Sequence, residues 1–261
     1  MQPMTRLLLI LLLAPLLGDF LLQTERMLAQ KARYQWRSYL RHGLTHYALS
    51  LFLVAFLTPL SPRSARLQAV LLGLVAAHLL LDRGKRAFTR AGKWTENART
   101  FAVDQMLHLG TIGAAGLLLY PSGGNELRAA FSRIPPVADK LLVASVVYVA
   151  VILGGGYLIR FLTRPLTPGL AGAPAEVGEM LTDAGMHIGW LERFLILTAM
   201  LMQSPTTVGL IFTAKSVARF PELKDARFAE YYLIGTLMSV TAAVIGGLIL
   251  DLVFYGQISL K

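Results

Sequence analysis

Four pairs of side chains able to ligate a metal or carry a proton recur in the first half of the chain. They are Asp19 and Gln23, His42 and His46, His78 and Asp82, and Asp104 and His108, each four residues apart. On an α-helix, residues i and i+4 project from one face, so each pair forms a two-residue polar tooth. The chain has five histidines, and four of them belong to this set. Imidazole with carboxylate suits Zn, Mn or Fe better than Ca or Mg. With no cysteine present, thiolate sites, disulfides and cysteine nucleophiles are excluded. The expected cofactor is a divalent transition metal, Zn first, with Mn or Fe as the alternatives. Four His, three Asp and one Gln suffice for two metals, or for one metal with neighbours that orient its imidazoles. A lone His/Asp pair would more readily be a hydrogen-bonded core feature, so the recurrence carries the argument. The competing reading is a polar network or proton-linked path without metal.

The elements that must position these residues are read from the apolar stretches. Hydrophobic residues make up 55% of the chain and charged residues 15%, against about a quarter charged in ordinary soluble domains. A hydrocarbon core of ~30 Å takes about 20 mostly apolar residues to cross. Backbone polar groups must be satisfied internally in lipid, and no barrel-like alternation is present, so the stretches are helices. The fold class is all-α: a polytopic transmembrane helical bundle of about 6–8 membrane helices. Spans are expected near 5–23, 40–60, 66–82, 101–120, 138–160 and 229–254, with shorter apolar helices near 187–202 and 205–219. The leucine-rich start lacks a small-residue cleavage site and reads as the first span, not as a signal peptide.

Charge orients the spans. The loop 24–41 carries Arg26, Lys31, Arg33, Arg37 and Arg41, and the loop 82–99 carries Arg83, Lys85, Arg86, Arg90, Lys93 and Arg99. The opposite connections are thinner, with Arg63 and Arg66, then Glu126, Arg128 and Arg133. Basic loops stay in the cytoplasm, so the N-terminus is expected outside, in a bacterial inner membrane. The formal charge of +10 has the same origin and is no argument for nucleic acid; membrane lipids are the natural partner. With this orientation all four polar pairs fall at one depth, near the cytoplasmic leaflet. Helical bundles build metal sites in this way, and ionisable groups at membrane depth are costly enough to imply function.

The second half is less regular. Residues 187–219 read either as two thin spans or as a re-entrant hairpin turning at Gln203-Ser204-Pro205. If the hairpin closes, Glu192 reaches Lys215 or Arg219, and Glu230 the other, because buried charge needs a partner. Arg193 sits beside Glu192 in the same apolar helix. This network is either structural or an anion or headgroup pocket. Gly154-Gly155-Gly156 lacks the Lys-Ser/Thr of a phosphate loop and is expected to permit close packing or a bend. His187 beside Asp183 reads as a local hydrogen bond. Three segments result: 1–122, a four-span bundle with the polar site; 123–186, a fifth span and a Gly/Pro-containing linker; and 187–261, the hairpin with the last span.

The series Gly18-Asp19-Phe20-Leu21-Leu22-Gln23, His42-x3-His46, His78-x3-Asp82-x2-Lys85 and Asp104-Gln105-x2-His108 resembles the motif set of a prokaryotic membrane-protein family of unknown function. The match covers about residues 5–120. More loosely, it is similar to inner-membrane proteins described as predicted metal-dependent hydrolases, some under SOS control. The resemblance implies a metal site using Asp19, His42, His46, His78, Asp82, Asp104 and His108, without supplying a reaction. Pro15-Leu16 stands where many relatives would carry a histidine. The later segments Ile188–Arg193, Lys215–Phe220 and Glu230–Ser239 resemble a stretch that accompanies the domain.

The expected activity is metal-dependent hydrolysis at the cytoplasmic membrane surface. Asp82 or Asp104 would be the general base, with Gln23, Lys85, Gln105, Glu192, Arg193, Lys215, Arg219 and Glu230 supporting the site or touching substrate. The basic collar of Arg41, Arg83, Lys85 and Arg86 would draw an anionic lipid or other phosphoester, although positive-inside bias predicts the same collar. The rival readings are an ion- or proton-linked transporter or channel, and a scaffold with a structural metal. A homo-oligomer is compatible with each.

Overall fold

A computed structural model of the chain describes residues 3–121, 137–163, 175–224 and 226–256. The turn 122–124, the charges Glu126, Arg128 and Arg133, Pro135–Pro136 and the linker 165–174 lie outside the described residues, as does the Asp183 side chain. The described residues are helical, with no strand among them. Six helices are long and apolar enough to cross a membrane, which fits an integral membrane protein. Their outward faces carry Phe56, Leu72, Leu80 and Leu118, all exposed, as expected of surfaces bathed in lipid rather than water.

The chain divides into units 1–142 and 143–261. In the first, α1 (Pro3–Phe20), α3 (Trp36–Leu57), α4 (Ala65–Arg90) and α5 (Ala98–Leu119) form a closed ring, each packed against the next and α5 against α1. A short helix, α2 (Glu25–Ala32), packs on α3. Away from the polar pairs the ring is filled by Leu7, Ile10, Leu11, Val54, Leu67 and Leu71. Small residues bring the helices close, which is how packing holds helices together in lipid. A Cβ on Gly116 of α5 would lie 2.6 Å from Leu8 Cδ2 of α1, and one on Gly43 of α3 would lie 2.9 Å from Leu79 Cδ1 of α4.

Three differences from the sequence expectation matter for the site. First, α1 stops at Phe20, where the amides of Leu21 and Leu22 both bond Leu17 O. Asp19 and Gln23 therefore do not share a helical face, and Gln23 lies in the turn. Second, the loop 24–41 contains α2, N-capped by Thr24, whose hydroxyl accepts from Met27 N, as such caps do. Ser38 donates to Met27 O at 2.9 Å and ties α2 to α3. Third, α4 runs on to Arg90, so Arg83, Lys85, Arg86 and Arg90 are helical and fixed relative to His78 and Asp82.

The second unit is organised on α8 (Ala175–Leu201), which packs against α9 (Pro205–Ala218) and α10 (Ala226–Tyr255). The fifth span comprises α6 (Val137–Val149), a π-helical turn (Ala150–Gly154) and α7 (Gly155–Thr163). A core of Val147, Leu197 and Leu250 joins a second of Ile196, Met200 and Ala243. Gly246 and Gly247 admit Leu197 and Met200, whose side-chain carbons lie 2.9 Å and 2.6 Å from where a Cβ would stand. The hairpin turns at Gln203, in the left-handed region at φ 54°. Pro205 opens α9, where its missing N–H costs nothing. At 27 residues, α8 is longer than the thin helix expected. The 14 residues of α9 span only ~21 Å.

Arg193 is almost completely buried. It donates to Ile152 O through Nε at 3.1 Å and Nη2 at 2.8 Å, and to Ser239 Oγ through Nη1 at 3.0 Å. Ile152 lies inside the π-helical turn, where the widened register displaces a carbonyl from its usual i+4 donor. Gly156 gives the guanidinium room: a Cβ there would lie 2.8 Å from Nη2. The glycine run thus serves close approach. Glu192 pairs with Lys215 at 2.8 Å. Glu230 is exposed at the start of α10. His187 stacks edge-on against Trp190, ring centroids 5.0 Å apart.

Candidate metal centre

Asp19 enters the ring from the last turn of α1, His42 and His46 from successive turns of α3, and His78 from α4. Asp19 Oδ1 lies 3.2 Å from His42 Nε2, 3.2 Å from His46 Nε2 and 3.5 Å from His78 Nε2. His42 Nε2 and His78 Nε2 are 3.1 Å apart. These four groups each offer one ligand atom, all within 4.8 Å of one another, and they could hold a metal ion. A tetrahedral ion with bonds of 2.0–2.1 Å separates its ligand atoms by about 3.3–3.4 Å. The separations observed here bracket that value.

Each imidazole presents Nε2 inward, so its Nδ1 must be matched behind it. His78 Nδ1 lies 3.1 Å from His108 Nδ1. If His78 donates there, its Nε2 keeps a free lone pair toward Asp19. The amide of Gln23 lies 3.5 Å from His42 Nδ1. Turned so that its carbonyl faces the ring, it would accept from Nδ1–H and free Nε2 in the same way. Gly18 sets the approach of α1 to α3: a Cβ there would lie 2.7 Å from both Cε1 and Nε2 of His46. Gly18→Ala should displace the His46 ring and weaken metal retention by about 10–100-fold, the usual cost of disturbing a ligand's setting. Metal titration of the purified variant checks this.

Asp82, Asp104 and His108 stand beside this group rather than in it. Asp82 Oδ2 lies 3.6 Å from His42 Nε2, but its nearest partner is Lys31 Nζ at 2.7 Å. Asp104 Oδ2 accepts from Lys85 Nζ at 2.9 Å and from Gln105 Nε2 at 3.3 Å. His108 Nε2 faces Asp104 at 3.8 Å and Asp82 at 4.0 Å. A second pole of the polar network is therefore occupied by ammonium groups. Among the described residues, every ion pair of Asp19 is to a histidine. With neutral imidazoles the three aspartates and two lysines leave one negative charge, which favours a bound cation or a proton.

Lys31 is the residue that sequence reasoning missed. It counted as one more positive charge in a loop, yet it is fully buried. Burial pushes its ammonium below the ordinary lysine range, while Asp82 opposes that fall. The available signal was the Thr24 cap before a short amphipathic run.

The fold and the cluster define a helical integral membrane protein with a His/Asp group that could hold a metal ion. Residues 7–132 of the chain match the model of a family described as protein of unknown function (DUF3307). No curated protein and no solved structure matches the chain.

Proposed function

We propose that the protein is a metal-dependent hydrolase of the bacterial inner membrane, with its site at the cytoplasmic leaflet and its N-terminus outside. The observation that carries the metal is the set of separations between Asp19 Oδ1 and three Nε2 atoms, close to the edges of a tetrahedral coordination shell. Zn is favoured, with Mn or Fe next, because the donors are imidazole and carboxylate.

Accessibility favours hydrolysis. The side chains of His42, His46 and His78 are 0%, 4% and 6% exposed, whereas that of Asp19 is 29% exposed. Three buried imidazoles are the usual protein share of a catalytic site, and the fourth position then belongs to water or substrate. In this structure Asp19 Oδ1 lies at that fourth corner, so as a general base it would yield the position to water and accept a proton from it. A bound metal would supply Lewis acidity and bring the pKa of water towards ~7. Asp82 and Asp104 are held by lysines and are the less available bases. The basic residues Arg83, Lys85 and Arg86 favour a phosphorylated, lipid-like substrate reached from the membrane surface.

A structural metal is the second reading, favoured by the four donors at saturating separations. Asp19→Asn separates the two. In a hydrolase, metal stays on the three histidines and turnover of phospholipid or isoprenoid-phosphate panels falls by about 100-fold or more. In a structural site, wild type turns over nothing and the variant loses metal and thermal stability. Ion flux in liposomes without turnover would overturn both in favour of transport.

Acid should release the metal. Each imidazole must be deprotonated to ligate, so affinity should fall with acid by up to about 1000-fold per pH unit for three histidines. Dialysis across pH 5–8 with metal analysis checks this. A flat profile would contradict the ligand set.

A further inference from the structure

The hydrolase reading leaves the two ammonium groups beside the cluster unexplained. Lys31 on α2 and Lys85 on α4 converge on it from different elements and bind different aspartates. Lys31 is fully buried, its ammonium 5.9 Å from the centroid of the Tyr39 ring. Tyr39 and Ser38 of α3 bond the α2 carbonyls of Lys31 and Met27, so the lysine is held at its post. Through Asp82 it is two contacts from His42 Nε2. Lys85 has a side chain 30% exposed and so opens towards solvent. Asp82 and Asp104 flank His108, which in turn backs His78.

Hydrolases with two metals clamp the phosphoryl group between two cations, which stabilise the attacking and the leaving oxygens. Here Asp82, Asp104 and His108 have the residue types for a second ion, but the two carboxylates hold ammoniums. We infer that Lys85 and Lys31 serve as the second cation, Lys85 donating to the non-bridging oxygens of a phosphoryl group presented to the Asp19/His42/His46/His78 cluster and Lys31, buried behind Asp82, adding its charge to that position. The inference rests on the metal reading above and names its substrate class, a phosphate ester. An ammonium carries three N–H donors, of which an aspartate takes one. Arg83 and Arg90, both exposed, lie over the Tyr34 ring at 5.6 Å and 5.7 Å and add positive charge to the same helix as Lys85, which favours an anion there.

The test is equilibrium binding of inorganic phosphate to full-length purified protein, with metal content measured on the same samples. Wild type should bind phosphate, and Lys31→Gln and Lys85→Gln should each weaken it by about 10-fold or more while keeping wild-type metal. Lys85→Gln, at a part-exposed position, remains informative if loss of Lys31 unfolds α2. Lys31→Arg should restore most of the affinity. Nanodiscs with and without phosphatidic acid identify the source: displacement of phosphate only by phosphatidic acid assigns the site to a lipid headgroup, and either source supports the inference. Metal-loaded wild type that binds neither phosphate nor phosphatidic acid would overturn it, as would unchanged affinity in both lysine variants. Lysine-dependent phosphate binding in a protein without metal would support the anion site and refute the metal reading alone.

Discussion

His42→Ala should purify as a folded helical protein with no transition metal bound. His42 is fully buried, and its Nε2 lies 3.2 Å from Asp19 and 3.1 Å from the His78 nitrogen. Alanine removes one imidazole ligand and leaves only His46 and His78 of the three. It also removes the imidazole that Gln23 faces. Losing one of the histidine ligands should lower affinity by about 1000-fold or more, ten times the upper cost of disturbing a neighbour that only orients a ligand. His46→Ala should behave alike. His108→Ala should instead cost about 10–100-fold, because His108 acts through His78. Metal analysis after extensive dialysis, beside helical circular dichroism, checks all three. Equal metal in His42→Ala and wild type would refute the ligand set.

Arg193→Leu should destabilise the second unit more than any surface change, by about 3 kcal/mol. The guanidinium makes three hydrogen bonds, two of them to the one carbonyl of Ile152 in the π-helical turn. Without it that carbonyl and the Ser239 hydroxyl lose a charged donor in a setting where water is scarce. Hydrogen bonds to charged groups are the strong class, and an abandoned buried acceptor costs more than a pair that was never built. Lysine should rescue only in part, since it offers a point charge instead of a planar fork. Thermal unfolding in detergent reads the change. A variant within about 0.5 kcal/mol of wild type would show that the π-helical turn holds without the arginine.

Much of this was legible before any coordinates. The His42/His46 and His78/Asp82 spacings, set in long apolar stretches of opposite direction, require polar groups of neighbouring helices to meet at one level. What the spacing could not express was competition for the ligands. Asp82 and Asp104 looked equivalent to Asp19, but Lys31 and Lys85 take their carboxylates, leaving Asp19 to the imidazoles. Lys85 was visible as the end of a helical motif. Lys31 was hidden because α2 is eight residues long, too short to announce itself against a background of basic loop charge. Gln23 was assigned to the face of Asp19, yet α1 ends between them and the amide arrives from a turn. In the second half, the Glu192–Lys215 pair followed from the need to neutralise buried charge. The partner of Arg193 did not, because it is a backbone carbonyl released by a change of helical register, which no side-chain pattern records.

Metal stoichiometry and X-ray absorption spectroscopy on the purified wild-type protein test the central claim most directly. One transition metal per chain is expected, most simply Zn, surrounded by four nitrogen or oxygen neighbours at about 2.0–2.1 Å with imidazole scattering from three histidines. Protein that carries no stoichiometric metal after purification and reloading, or whose metal shows no histidine scattering, would contradict it.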